Sequence, residues 1–475
     1  MMKASHNFRK ASAAAVADEV LGAAVEKTAT LLFSGRASAA ARYPGFEELR
    51  DWGRSRKMEV SGDLWRFARR FADRLEAAGG VAHYARDARE AVEIVEGIAR
   101  RLGAVSAVKS KSMTAEEVSL NEALLKAGVA VTETDLGEFI IQLAGEKPSH
   151  IVAPAIHKNR EQVADLFHKA LGSPPGLDVG GLVQVARKTL RERFLAADIG
   201  ITGANFAVSE TGSIAIVTNE GNGRLTTALP PVQIALVGID KIIPKLYDLT
   251  GILTLLTRSA TGQVVSSYVT VITGPRREGE EEGPRELHVV LLDNGRSSLA
   301  AGQFREMLHC LHCGACLNSC PVYRAVGGHA YESVYPGPMG DVLSPLLWGL
   351  DAYADLPDAC TLCGRCAEVC PMRIPLPEFH RRLRVLRTDL KGKKAAWKAL
   401  VPAILAGHPM LYRAGLKGMR RLLSSGPGLS GLLKAGPAKA WSLCREAPRP
   451  GEGPDFRSWW EQRQKGPKGD TDEQG

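Results

Sequence analysis

The sequence predicts an α/β domain with a largely parallel sheet, then a small α-helical domain that holds metal through cysteines, then a basic helical end. Three observations carry this. Short apolar runs alternate with amphipathic helical segments from about Gly80. From Ile199 the texture changes to short, glycine-punctuated strands. Eight of the nine cysteines fall between Cys310 and Cys370, whereas the first 309 residues contain none.

Residues 1–60 read as a helical arm, alanine-rich from Ala11 to Arg42 with charges spaced through it. In the run from Trp65 to Ala78, Phe67, Phe71 and Leu75 recur at four-residue spacing, one face of a helix. A strand at Val81–Tyr84 precedes a helix at Ala85–Leu102 and a strand at Val105–Val108. A helix at Ala115–Ala127 leads to a strand at Val129–Glu133, and the apolar run Ile151–Ala153 precedes a helix over Arg160–Leu171. Strands alternating with helices predict βα units and a parallel sheet. After Leu246–Ser259 come strands at Val269–Thr273 and Leu287–Leu292, joined by the loop GPRREGEEEGP. The α/β domain is therefore placed at residues 61–300, the cysteine domain at 301–385, and a basic helical segment with a flexible tail at 386–475. Pro402, Pro409, Pro427 and Pro437 interrupt that last segment.

An apolar fraction of 45% with 24% charged residues is that of an ordinary soluble protein. No apolar run approaches the roughly 18 residues that span a bilayer. Asp18 and Glu19 interrupt the stretch where an export signal would have its apolar core, so the expected location is cytoplasmic. The net charge of +9 is uneven: residues 381–475 hold 20 Lys and Arg against 8 Asp and Glu, and the remainder is slightly acidic. Such an end suits an acidic partner or anionic lipid on the inner face of the cytoplasmic membrane, or is simply a solvated tail. Nucleic acid is not an expected partner, because no reader module accompanies the charge.

Cys310, Cys313, Cys316 and Cys320, followed by Pro321, form C-x2-C-x2-C-x3-C-P; Cys360, Cys363, Cys366 and Cys370, followed by Pro371, repeat it 50 residues later. Two-residue gaps let one loop direct three thiolates at neighbouring irons, and the fourth cysteine ligates the other cluster. Two [4Fe–4S] clusters follow. The first is assigned to Cys310, Cys313, Cys316 and Cys370, the second to Cys360, Cys363, Cys366 and Cys320. Zinc favours paired C-x2-C units joined by longer gaps, a different pattern. The 39 residues between Cys320 and Cys360 exceed a minimal two-cluster ferredoxin, and Ser344–Ala354 and Pro377–Leu390 look helical, so the domain is expected to be helix-rich. Cys444 has no cysteine nearby and reads as a buried or free thiol. Clusters alone relay single electrons; a two-electron substrate requires a further redox centre. GNGRLT at Gly221–Thr226 stops one glycine short of a dinucleotide fingerprint and reads as a turn.

The stretches KSKSMTAEEVSLNEAL, ETDLGEFIIQLAGEKPSHIVAPAIHK and ADIGITGANFAVSETGSIAIVTNEGNGR resemble the lactate-utilisation (LUD) domain. With LHCGACLNSCPVYRAVGGHAY and TLCGRCAEVCP behind them, the whole resembles the lactate utilisation protein B family over roughly residues 60 to 385, more loosely outside. The resemblance implies the fold shared by sugar-phosphate isomerases and CoA transferases. It also implies an iron–sulfur subunit of a three-protein system oxidising L-lactate to pyruvate. Its companions would be a cysteine-rich protein with CCG motifs and a second LUD-domain protein; this chain has no CCG. Activity does not follow from fold alone, so a standalone isomerase- or transferase-like enzyme with structural or redox-sensing clusters is the competing reading.

A small hydroxy acid needs a cation or N–H groups for its carboxylate and an acceptor near its hydroxyl. Lys109 and Lys111, with Ser110 and Ser112, follow a predicted strand where open α/β sheets present anion-binding groups. Glu210 lies between two apparent strands, and Arg224 follows the second. Lys109, Lys111, Glu210 and Arg224 are the expected pocket residues, with Asp135, Glu138, His157, Glu220 and Asn222 as further polar groups in the family-like stretches. The lysines also fit a solvated turn, and Glu210 a loop cap.

Overall fold

The computed structural model describes residues 7–391, 403–404, 407–424 and 456–464. Two compact units are present, one up to Arg387 and one from Thr388. Ten strands occur among the described residues of the first: β1 (Val81–Ala85), β2 (Ser106–Lys109), β3 (Ala130–Glu133), β4 (Ile199–Thr202), β5 (Phe206–Val208), β6 (Ser213–Thr218), β7 (Val232–Gly238), β8 (Ile242–Ile243), β9 (Tyr268–Ile272) and β10 (Glu286–Leu292). Six form an entirely parallel sheet in the order β1-β10-β7-β4-β2-β3. The other four make a mixed sheet, β8-β5-β6-β9.

β7 is buried along its whole length. That is the pattern of a parallel strand covered on both faces, and it accounts for the unbroken apolar run VQIALVG. The covering helices start where short acidic or amide side chains cap them. Asp87 accepts from Glu90 N–H, Asp135 from Glu138 N–H, and Asn159 with Gln162 forms a reciprocal capping box. The chain leaves β2 toward β3 in one direction and returns to β4 on the other side of β2. The switch point thus lies between the C-terminal ends of β2 and β4, at Lys109 and Thr202.

Several elements differ from expectation for identifiable reasons. The helix predicted over Ala115–Ala127 is two, Met113–Glu117 and Leu120–Lys126, split where Ser119 is left-handed at φ 53. The break leaves the Glu117 side chain buried. Ile151–Ala153 is not a strand, because the N–H groups of Val152 and Ala153 are taken by the imidazole of His150. Gly221–Thr226 is not a simple turn: Asn222–Ala228 is helical, and its Thr226 carbonyl sits against β4 where a Cβ on Gly200 would lie 2.0 Å away. The predicted helix at Ser344–Ala354 runs instead over Gly337–Trp348 and stops at Gly349, φ 99.

The N-terminal helices Phe8–Val16, Glu19–Ala41 and Phe46–Gly62 share one apolar core with the cysteine region and the mixed sheet. Phe8, Val25, Phe46 and Val60 are buried in it. In the second unit, Pro409–Ser424 and Phe456–Gln464 are helical. Cys444 and most of the predicted tail lie outside the described residues. Among those described, no helix is long and apolar enough to cross a membrane.

Candidate metal centre

The two cysteine motifs fold as copies of one another. A 3-10 turn (Arg305–His309 or Leu356–Ala359) enters each loop, and a short helix (Ala315–Ser319 or Arg365–Val369) leaves it. Between them the backbone is left-handed at matching positions, His312 (φ 54) with Leu362 (φ 56) and Gly314 (φ 76) with Gly364 (φ 86). This curl points N–H groups at sulfur: His312 N–H donates to Cys310 Sγ at 3.4 Å, and Leu362 N–H to Cys360 Sγ at 3.3 Å. Ile374 N–H donates to Cys370 Sγ at 3.4 Å.

All eight cysteines are unbridged. Cys310, Cys313, Cys316 and Cys370 line one cavity, closed by Ile151 and Met339. Cys320 lies close to Cys360, and Cys366 close to Cys360, Cys320 and Cys363. Burial pushes the Cys310, Cys313 and Cys320 thiols up to about 12. Such thiols ionise when a metal cation replaces the proton, which is what iron supplies. Among the described residues no three His, Cys, Asp or Glu side chains converge on a single ion.

Charged side chains from distant segments surround the first set. Arg50, buried on the third helix, donates to the carbonyl of Cys370 at 2.7 Å and of Glu368 at 2.9 Å, and Arg36 donates to that of Val369 at 3.0 Å. They cap the carbonyl end of the short helix behind Cys370. On the other side Lys241 reaches His312 Nδ1, and Lys57 donates to the carbonyls of Asp240 and Ile242. Asp240 is bound by Arg296, which also holds Glu117 through two bonds of 2.8 Å. Burial opposes ionisation of Asp240, but Lys241 and Arg296 outweigh it and hold the carboxyl well below its usual range. Tyr335 donates to Glu117 at 2.6 Å and stacks on His312.

A second polar group occupies the switch point. Lys109 pairs with Glu133 and Lys111 with Glu138, each at 2.8 Å. Burial works against the Lys109 ammonium, yet Glu133 and Glu116 outweigh it and its pKa is raised. Burial, reinforced by Glu138, pushes Glu116 up to about 8. Asn121 Oδ1, Glu133 Oε2 and Asn222 Oδ1 are buried here without a hydrogen-bond partner among the described residues, the usual mark of a bound water or ligand. His150 joins this region to the metal centre. Its Nδ1 accepts two backbone N–H groups, so its Nε2 carries the proton and donates to Asn318 Oδ1 at 3.1 Å, on the first cysteine helix. A cleft of about 930 Å³ lies nearby and is lined by Lys147, His157, Lys158 and His329.

Of the four expected pocket residues, the structure brings Lys109 and Lys111 together and leaves out the other two. Glu210 sits at the β5–β6 hairpin, accepting from Leu246 N–H at 2.9 Å as a loop cap. Arg224 is exposed on the helix Asn222–Ala228, although Thr226 of the same helix reaches Thr134 beside Lys109. Sequence reasoning missed Glu116, His150, Asp240, Lys241 and Arg296. For Asp240, Lys241 and Arg296 a signal existed: they follow β7 and β10 at the same sheet edge as Lys109. For Arg36, Arg50 and Lys57 none did.

A helical two-cluster region joined to an α/β domain of this topology defines the class: a LUD domain, whose family model matches residues 68–292, followed by a 4Fe-4S dicluster domain, matching 306–374. The protein therefore carries two [4Fe–4S] clusters. A curated relative from Lysinibacillus sphaericus, named Lactate utilization protein B, is 41% identical over 471 residues, 98% of this chain and 99% of its own. Relatives of the same name are 41% identical in Bacillus velezensis (96% and 97% covered) and 44% in Geobacillus thermodenitrificans (89% of each). A crystal structure of a DUF162 family protein from Deinococcus radiodurans covers 48% of this chain and 98% of that one, at 18% identity and a TM-score of 0.27. The chain belongs to the lactate utilization protein B family. The relatives align almost end to end, so the resemblance extends beyond residues 60–385 into the helical arm that carries Arg36, Arg50 and Lys57.

Proposed function

We propose that this chain is the iron–sulfur electron-transfer subunit of a multi-subunit complex that oxidises L-lactate to pyruvate. The observation that carries the reading is the joining of the LUD sheet edge to a complete eight-cysteine centre within one compact unit. Cys310, Cys313, Cys316 and Cys370 hold one cluster, and Cys360, Cys363, Cys366 and Cys320 the other. Bound there, the clusters supply one-electron relay. The chain's own residues do the rest: Arg36 and Arg50 fix the carbonyl end behind Cys370, and His150 ties the sheet edge to the first cysteine helix. Lys109 and Lys111 offer cationic partners to a small carboxylate, while Glu116, its pKa raised by burial, is the group's candidate acid–base residue.

The companions are a CCG-motif cysteine-rich protein and a second LUD-domain protein, and the basic C-terminal segment contacts the membrane surface. The names of the curated relatives support lactate as the substrate. The test is anaerobic purification with the natural partners and EPR during lactate addition. Substrate electrons should reach both clusters, and Cys313→Ser or Cys363→Ser should abolish lactate oxidation. Undiminished oxidation in both variants would sink the proposal.

A further inference from the structure

The two cysteine loops are copies 50 residues apart, so each position has a counterpart in a different environment. A Cβ on Gly314 would touch His150, Ile151 and Val152 at 3.4 Å, whereas one on Gly364 would meet nothing within 4 Å. His312 is covered by Tyr335, at 5.4 Å between ring centroids, while its counterpart Leu362 is 41% exposed. Cys313 is buried and Cys363 exposed. One set faces the LUD domain and the other faces outward.

Their charges differ as well. Around the inner set stand Arg36, Arg50, Lys57 and Lys241, three of them buried. With Arg296 these are five cations; Asp240 pairs with Arg296 and Lys241, Glu117 with Arg296, and Arg50 also with the exposed Glu47, so a smaller cationic excess remains. Around the outer set the buried acidic group is Asp341, beside His380 at 3.4 Å, on the helix Gly337–Trp348, which packs against Ala315–Ser319 and Leu356–Ala359, the segments that run into Cys320 and Cys360. Arg384 opposes it at the Cys360 carbonyl but is shared with Asp358.

We propose that Arg36, Arg50, Lys57 and Lys241 make the inner set the more readily reduced of the two, and that Asp341 makes the outer set the less readily reduced. The exposed loop 361–365 makes the outer set the one that meets one-electron carriers. This rests on the cysteine assignment given above. Reduction adds one negative charge to a thiolate-ligated centre, so nearby cations favour it and nearby carboxylates oppose it. Burial alone acts the other way, since a weakly polar interior disfavours added charge. The difference of several charges prevails because interior charges are poorly screened.

The experiment is an EPR-monitored redox titration of the anaerobically purified full chain, with and without an aqueous dysprosium chelate. The chelate should speed relaxation of one signal, the outer one, and that signal should have the lower potential. Lys241→Met should lower only the unrelaxed signal's potential, by at least the roughly 59 mV of a tenfold one-electron shift. Arg36→Gln tests the same point from the other side of the cluster and keeps a hydrogen-bond donor should Lys241→Met fold poorly. Asp341→Asn should raise only the relaxed signal's potential. The proposal is overturned if the relaxed signal has the higher potential, or if these substitutions move both signals alike or neither. Fewer than two cluster signals in the wild type would instead overturn the underlying cysteine assignment.

Discussion

Replacing Arg296 by Met tests whether the buried charges at the sheet edge hold the two domains together. Arg296 is 2% exposed and binds Asp240 at 2.5 Å and Glu117 twice at 2.8 Å. Removing one partner of a buried ion pair costs about 3–5 kcal/mol, because the other charge stays buried and uncompensated. Glu117 retains Tyr335 and Asn294 at 2.6 Å each, and Asp240 retains Lys241 at 3.3 Å, which places the cost near the lower end, about 3 kcal/mol. Unfolding entropy near 2.1 cal/mol/K per residue gives about 0.8 kcal/mol/K for a unit ending at Arg387, so Tm should fall by about 4 °C. Scanning calorimetry of the anaerobic protein at two scan rates measures it, and Arg296→Met with Glu117→Gln should recover part of the loss. A drop below about 1 °C would refute the view that these charges are tightly coupled.

Four further outcomes are expected. His150 is held neutral, its pKa pushed down to about 4 by burial and Lys111, so unfolding takes up a proton below the ordinary histidine range. Stability from this group is intact near pH 7 and falls by about 2 kcal/mol by pH 5; urea midpoints for His150→Asn should show a correspondingly flatter pH dependence. Gly200→Ala would put a Cβ 2.0 Å from the Thr226 carbonyl and should cost at least about 3 kcal/mol, with the loss of protection seen first by hydrogen exchange in Asn222–Ala228. Cys320→Ser and Cys370→Ser should each reduce bound iron well below the roughly eight atoms of two clusters, and each should disturb the EPR signal of the opposite motif. The helix Pro409–Ser424 exposes Met410, Leu411, Tyr412 and Leu416 beside Arg413 and Lys417; Arg413→Glu with Lys417→Glu should weaken binding to anionic vesicles more than tenfold, and salt should do likewise.

What was legible in the sequence follows from range. The parallel sheet was readable because each βα unit is local: Val81–Ala85 and Ala88–Leu102 carry their own apolar periodicity. The cysteine pattern was readable because thiol spacing within one loop is also local. The place of Lys109 and Lys111 at the sheet edge was readable because they lie at the end of a strand. That Glu210 and Arg224 lie away from Lys109 was not readable, because sequence position between strands does not say which sheet receives them; β5 and β6 belong to the second sheet. Arg36 and Arg50 were invisible because their partners, the carbonyls of Val369 and Cys370, lie more than three hundred residues away. Nothing local distinguishes a helix arginine in water from one buried against a carbonyl.

That long-range part bears most directly on how the chain works. Open α/β sheets present their chemistry beyond the C-terminal strand ends. Here those ends do not simply face solvent. Lys109 and Glu133 end β2 and β3; Asp240 and Lys241 follow β7; Asn294 and Arg296 follow β10. The β7 group reaches the first cysteine loop through His312, and the switch point reaches it through His150 and Asn318. A linker between independent domains would leave buried charges on one side only, since each domain would have to satisfy its own. Here Glu117 is satisfied jointly by Arg296 of the LUD domain and Tyr335 of the cysteine domain. The cysteine half cannot be withdrawn without leaving a buried carboxylate short of a partner, so the sheet edge and the metal centre are built as one site.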